Sequence, residues 1–87
     1  MLIGVKYLKK DREMSPREYT YFCGLQDLEI GDLVNAETVN GDMLAMVTSL
    51  DVPEEKIAPF RDKVKTITQR ATIMYDENGN IEGYSKK

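Results

Sequence analysis

Apolar side chains recur at every second residue in several separate stretches of this chain, a period that fits a pleated strand and not a helix. In Leu2 to Leu8, Ile3, Val5 and Tyr7 share one face and Lys6 lies on the other. In Glu18 to Cys23, Tyr19, Tyr21 and Cys23 fall on one face, with Thr20 and Phe22 on the other. Aromatics favour strands because they pack well on a half-buried pleated surface. Between these two strands, Lys9 to Arg17 is polar and carries Ser15-Pro16, which marks a connection.

The same reading extends along the chain. Leu25 and Leu28 sit three apart and predict one helical turn that plugs an end of a barrel. Glu29-Ile-Gly-Asp32 predicts a tight turn, since Gly31 tolerates positive φ. A third strand is expected from Leu33 to Val39, with Val34 and Ala36 facing inward. Asn40-Gly41 predicts a type I′ hairpin into a fourth strand, Met43 to Leu50. That strand is apolar on both faces: Leu44, Met46 and Leu50 on one, Ala45 and Val47 on the other. A small antiparallel sheet usually wets one face. The second apolar face therefore implies a covered position or a subunit contact, and Met43, Leu44 and Met46 are the candidates for self-association.

Asp51-Val-Pro-Glu54 reads as a capping box and predicts a short helix through Ala58, ended by Pro59. Phe60, Val64, Ile67 and Ala71 then recur at helical spacing, yet the segment is rich in β-branched residues. Helix and strand both stay open over residues 60–71, with a strand from Lys63 to Met74 favoured. Asn78-Gly79 predicts a last hairpin into Ile81 to Ser85, with Tyr75 opposite Glu82 and Ile73 opposite Tyr84. The expected architecture is one mainly-β domain over residues 1–87, a small, partly open antiparallel β-barrel of five to six strands with one short helix. Its core spans about residues 2–75, and residues 76–87 add a C-terminal hairpin strand.

Eighty-seven residues make one domain near the lower size limit for independent folding, where dimerisation is a natural way to bury more surface. No apolar run approaches the roughly 18 residues of a membrane span, so no membrane partner is expected. The opening MLIGVKYLKK is too charged to read as a signal peptide. The single Cys23 cannot form an internal disulfide, which fits a reducing cytoplasm.

Composition removes much chemistry. There is no histidine, hence no ordinary general base at neutral pH and no Ser-His or Cys-His pair. Cys23 has no cationic neighbour in the sequence to activate it and reads as a small core residue. Asp27, Glu29 and Asp32 sit in or beside turns, where acidic residues serve the backbone. Asp76-Glu-Asn78-Gly-Asn80 fails as a calcium loop: its glycine comes at the fourth position, and Lys87 stands where a bidentate glutamate is needed. No phosphate-cradling glycine motif is present. Neither a metal nor a cofactor is expected, and the chain does not read as an enzyme.

Charge is unevenly spread. Residues 1–18 carry a net +2, residues 19–55 carry −8 without one lysine or arginine, residues 56–75 carry +4, and the remainder −1. If the basic ends meet in the fold, they make one cationic face. Stacking on nucleic-acid bases needs exposed aromatics inside a basic groove. The cationic candidates for such a contact are Lys6, Lys9, Lys10, Arg12, Arg17, Lys63 and Lys65. The acidic middle disfavours a phosphate partner, however, and Tyr7, Tyr19 and Tyr21 are expected instead to fill a small core with their hydroxyls at its rim.

The ordered string IGVKYL, YTYFC, Leu28-x-Ile30-Gly-Asp-Leu-Val34, a hairpin, AMVTSLD and KVKTI carries a resemblance. It resembles the small N-terminal β-barrel of the bacterial primosomal replication-restart helicase, which binds the 3′ end of a DNA strand. It is also similar to stand-alone short proteins of Gram-positive bacteria and their mobile elements. The likeness spans about residues 3–70 and rests on Tyr19, Tyr21, Gly31, Val34, Ala45 and Val47. It implies the barrel, and it implies a nucleic-acid contact through the basic ends. The helicase motor is missing, and no DNA-end pocket residue carries over. Two expectations follow: foremost a non-catalytic interaction module that self-associates or docks on a protein, and alternatively a binder of single-stranded or 3′-ended nucleic acid.

Overall fold

The alternating stretches pair as their periodicity demands. In the computed structural model, which describes residues 1–86, β1 (Leu2–Tyr7) runs antiparallel to β2 (Tyr19–Cys23), with Ile3 opposite Tyr21 and Val5 opposite Tyr19. On its other side β1 meets β4 (Gly41–Ser49), which in turn pairs with β3 (Leu33–Thr38). Ile3, Val5, Val34, Ala45, Val47 and Ile67 are fully enclosed and form the centre of the core. Burying each large aliphatic side chain stabilises the fold by about 1.5–3 kcal/mol.

Three further strands complete the sheet: β5 (Thr66–Ile67), β6 (Gln69–Tyr75) and β7 (Ile81–Lys86). The order is β5-β2-β1-β4-β3-β6-β7. The chain is mainly β and partly open, as expected, but it has seven strands instead of five or six. It is also not wholly antiparallel, because β5 runs parallel to β2, with Phe22 opposite Thr66 and Cys23 opposite Ile67. No ladder joins β5 to β6. Thr68 alone separates them, so one stretch of chain touches β2 at its start and β3 at Val34 and Asn35. Chain continuity, and not a closed ladder, links the β2 edge of the sheet to β3.

Several local expectations are corrected. Residues 54–63 are 3₁₀ in two pieces, Glu54–Lys56 and Ala58–Lys63, and no capping box forms: Pro53 precedes the first piece without a side-chain cap. Pro59 does not end the helical run but sits in the first turn of the second piece, a position where its missing N–H costs nothing. The favoured strand from Lys63 therefore starts late, at Thr66, and breaks at Thr68. Leu25 and Leu28 form no helical turn; the segment bends, and Leu28 still plugs the core. The Gly31 turn leads into β3 as expected.

Both Asn-Gly hairpins differ from the expected form. In each the left-handed residue is the glycine alone, Gly41 at φ 110° and Gly79 at φ 80°. In the first, Val39 and Asn40 alone separate the paired Thr38 and Gly41, so the turn falls one residue earlier than expected. In the second, Asp76 and Asn80 close a three-residue loop that ends in the left-handed glycine. The extra residue shifts Tyr75 opposite Ile81 instead of Glu82, while Ile73 stays opposite Tyr84. Asp76 secures that loop by accepting from the N–H groups of Asn78 and Asn80.

Two contacts hold the long connections. Arg70 donates to Asp32 at 3.0 Å and to the Gln26 carbonyl at 2.7 Å, tying the β2–β3 loop to β6. The Glu18 carboxylate accepts from the hydroxyls of Thr48 and Ser49, across from β4. Those bonds, Thr48 first, hold the Glu18 carboxyl below its ordinary pKa of 4.5, with the Lys56 and Lys6 charges adding to the effect. A lowered folded-state pKa gives stability that is present above the ordinary value and lost as pH falls through the lowered one. Glu18→Gln is therefore expected to flatten the acid limb of the stability curve below pH 4.5, measured by urea unfolding across pH.

Gly24 ends β2 where β5 approaches most closely. Its N–H donates to the Ile67 carbonyl at 2.8 Å, and a Cβ added there would lie 2.9 Å from that same backbone oxygen. Gly24→Ala is expected to destabilise the protein by about 1–3 kcal/mol in urea unfolding, because the backbone it strikes cannot rotate away.

Candidate functional site

Because β5 lies on β2, the 3₁₀ segment that precedes it stands beside the tyrosines of β1 and β2. The result is an open groove of about 400 Å³. Tyr7, Tyr19 and Tyr21 line it, with Tyr21 the most buried and so at its base. Phe60, 48% exposed, and Val64 line the side formed by the 3₁₀ segment. Thr38, Glu37 and the exposed Val39 come from the end of the β3–β4 hairpin.

Phe60 is displayed for a local reason. Ile57, fully buried, pins the junction between the two 3₁₀ pieces, and the Phe60 N–H donates to its carbonyl at 2.8 Å. Phe60 itself departs from helical geometry, at φ −139° and ψ 27°. The chain turns there and leaves the ring facing solvent.

The tyrosines form an ordered set. Tyr7 and Tyr19 stack with ring centres 4.6 Å apart at 26°, and the Arg17 guanidinium stands 5.8 Å from the Tyr19 ring centre. That column of cation, ring and ring is a favourable arrangement for a ring quadrupole. The Tyr21 hydroxyl donates its one proton to the Glu37 carbonyl at 3.0 Å, so the Tyr7 hydroxyl is the donor in their 2.7 Å bond. Burial, then the bond to Tyr7, push the Tyr21 pKa upward, so its proton stays in place. The base of the groove is a fixed hydrogen-bonding surface.

Three predicted cations gather here. Arg17, Lys63 and Lys65 line the groove, all exposed. None of the three makes an ion pair among the described residues. Glu18 also lines the groove, but Thr48 and Ser49 hold its carboxylate. Glu37 is the remaining acidic residue on the wall.

The other candidates go elsewhere. Lys6 is half-buried on the opposite face of β1, beside Met46 of β4. Lys9 and Lys10 line a separate cavity with Met43 and Leu44. Arg12 lies next to the Gly79 turn of the C-terminal hairpin. Leu44 is only 4% exposed and sits at the floor of that cavity with Ile81 and Tyr84 of β7. Met43 and Met46 are half-buried.

Phe60, like Glu37, Thr38, Val39 and Val64, is a groove residue to which the sequence assigns no binding role. The available signal was a lone phenylalanine in a polar segment ended by two lysines, Lys63 and Lys65. Arg61 has a different task from its neighbours: it pairs with Glu54 at 2.8 Å and stands 5.1 Å from the Phe22 ring centre. No cluster of three or more His, Cys, Asp or Glu that could hold a metal occurs among the described residues. Likewise, no helix among them is long and apolar enough to cross a membrane.

The arrangement is a small partly open β-barrel that presents an aromatic groove rimmed by free cations. It is suited to stacking a planar group while holding an adjacent anion. Comparison with family models, with curated proteins and with solved structures gives no match.

The hydroxyl order yields a prediction. Tyr21→Phe strands both the Glu37 carbonyl and the Tyr7 hydroxyl, and is expected to cost about 1–3 kcal/mol. Tyr7→Phe removes only one donor from an acceptor that remains bonded, and should cost less than about 1 kcal/mol. Urea midpoints of the two variants compare them directly.

Proposed function

We propose that this chain is a non-catalytic interaction module whose groove binds single-stranded nucleic acid. Bases stack on the Tyr7–Tyr19 column and on Phe60, and phosphates meet Arg17, Lys63 and Lys65. One observation carries the reading: cations from two distant parts of the sequence meet on one exposed aromatic surface, without ion-pair partners among the described residues. Stacking is sequence-tolerant because every base offers a π-face. The resemblance noted above adds an expected preference for a 3′ end.

Docking of a protein segment is the second reading. The net charge of −3 and Glu37 on the groove wall favour it, since both repel phosphate. Aromatic-lined grooves also take extended proline-rich peptides.

Fluorescence anisotropy with a short labelled oligothymidylate separates the two. Binding should weaken with salt, with a log–log slope of about −2 for three cations engaging a single strand. Phe60→Ala should cost about 1–3 kcal/mol of affinity and leave the fold intact, since the ring is exposed. Blocking the 3′ end of the oligonucleotide reads the end preference. Absence of binding at micromolar protein in low salt rejects the nucleic-acid reading.

A further inference from the structure

A second cavity, of about 340 Å³, lies between the segment Leu8–Lys10, the start of β4 and β7. Its lining is strongly apolar: Leu8, Met43, Leu44, Ile81 and the Tyr84 ring. Lys9 and Lys10 stand exposed around it and make no ion pair among the described residues. The one acidic residue in the lining, Asp42, is already held by Lys86 at 2.6 Å. An apolar floor with a free cationic rim calls for an apolar anchor flanked by carboxylates.

The chain carries such an anchor on another surface. Ile30, at the tip of the β2–β3 loop, is 64% exposed. Asp27 and Glu29 beside it are exposed and make no ion pair among the described residues. The tip is well braced. The Glu29 N–H donates to the Asp32 carboxylate at 2.9 Å, the Gly31 N–H to the Val47 carbonyl at 2.8 Å, and Arg70 clamps Asp32. A braced anchor loses little freedom on docking, which favours association.

The tip cannot reach the cavity of its own chain. Gly31 is fixed to Val47, whereas the cavity is lined by Asp42, Met43 and Leu44, three to five residues back along β4, or about 10–17 Å. We propose that copies of this chain associate head to tail, with Ile30 of one copy seated in the Leu44–Ile81 cavity of the next, and with Asp27 and Glu29 facing Lys9 and Lys10. Two different surfaces meet, so the contact is heterologous and leaves a free tip and a free cavity at the ends. It uses no residue of the aromatic groove, and stands independently of what that groove binds.

The test is sedimentation velocity over a range of protein concentrations. Wild-type protein should grow past the dimer with concentration and revert toward monomer as salt is raised. Ile30→Ser removes the anchor, and Lys9→Glu/Lys10→Glu reverses the rim. All three positions are exposed, and circular dichroism checks that each variant stays folded. Each variant alone should associate roughly tenfold or more weakly. Mixed together, they should form a one-to-one dimer, because the first keeps its cavity and the second keeps its anchor. A wild-type protein that stays monomeric, association that survives in either variant, or a mixture that fails to pair overturns the proposal.

Discussion

The pairing of residues 65–67 with β2 is the contact on which the rest of the molecule depends. A five-residue strand at the edge of a small sheet would otherwise leave its N–H groups facing solvent. Here the Phe22 N–H donates to the Lys65 carbonyl and the Gly24 N–H to the Ile67 carbonyl. The same short segment drops Ile67 into the core, 1% exposed, and then hands the chain to β3 through Arg70 opposite Val34. A few hydrogen bonds and one isoleucine thus link the β2 edge of an open sheet to β3. Gly24 permits it, since any side chain there would strike the Ile67 carbonyl.

The groove is a consequence of that pairing. Nothing local in the sequence links Arg17 to Lys63 and Lys65. They become neighbours only because β5 lies beside β2, which carries Tyr19 and Tyr21. The acidic middle of the chain is partly spent in holding the fold: Asp32 on Arg70, Asp42 on Lys86, Glu54 on Arg61. Each of those three carboxyls is held below its usual range, Asp32 first by the Glu29 N–H and the other two by their basic partners. Whole-chain charge therefore understates how cationic the groove rim is.

What was legible in the sequence was what repeats every second residue. The alternation in Ile3-Val5-Tyr7 and Tyr19-Tyr21-Cys23 gave the right faces, and the two apolar faces of Met43–Leu50 marked a strand covered twice. Ala45 and Val47 meet the main core, while Leu44 is buried at the floor of the cavity beside β7. What was not legible depends on partners far away in sequence. Val64, Thr66, Ile67 and Thr68 are all β-branched, yet only Thr66, Ile67 and the residues from Gln69 have a strand beside them. The helical spacing that starts at Phe60 meets a 3₁₀ segment that kinks at Phe60 and ends at Lys63, which propensity does not separate from an α-helix. Of the seven cations proposed from charge alone, three reached the groove, because periodicity tells which face a residue takes and not which strand it will face.

The seal between β5 and β2 can be read amide by amide with native-state hydrogen exchange. The Phe22 and Gly24 N–H groups are bonded only to residues 65 and 67, whereas the Cys23 N–H between them is bonded to the Met1 carbonyl on the other side. If the seal holds the barrel and the groove together, Phe22 and Gly24 exchange as slowly as Cys23 and its neighbours in β1. Fast exchange at Phe22 and Gly24 beside a protected Cys23 would contradict the account, since β5 would then lie off β2 and the groove would not exist as a fixed surface.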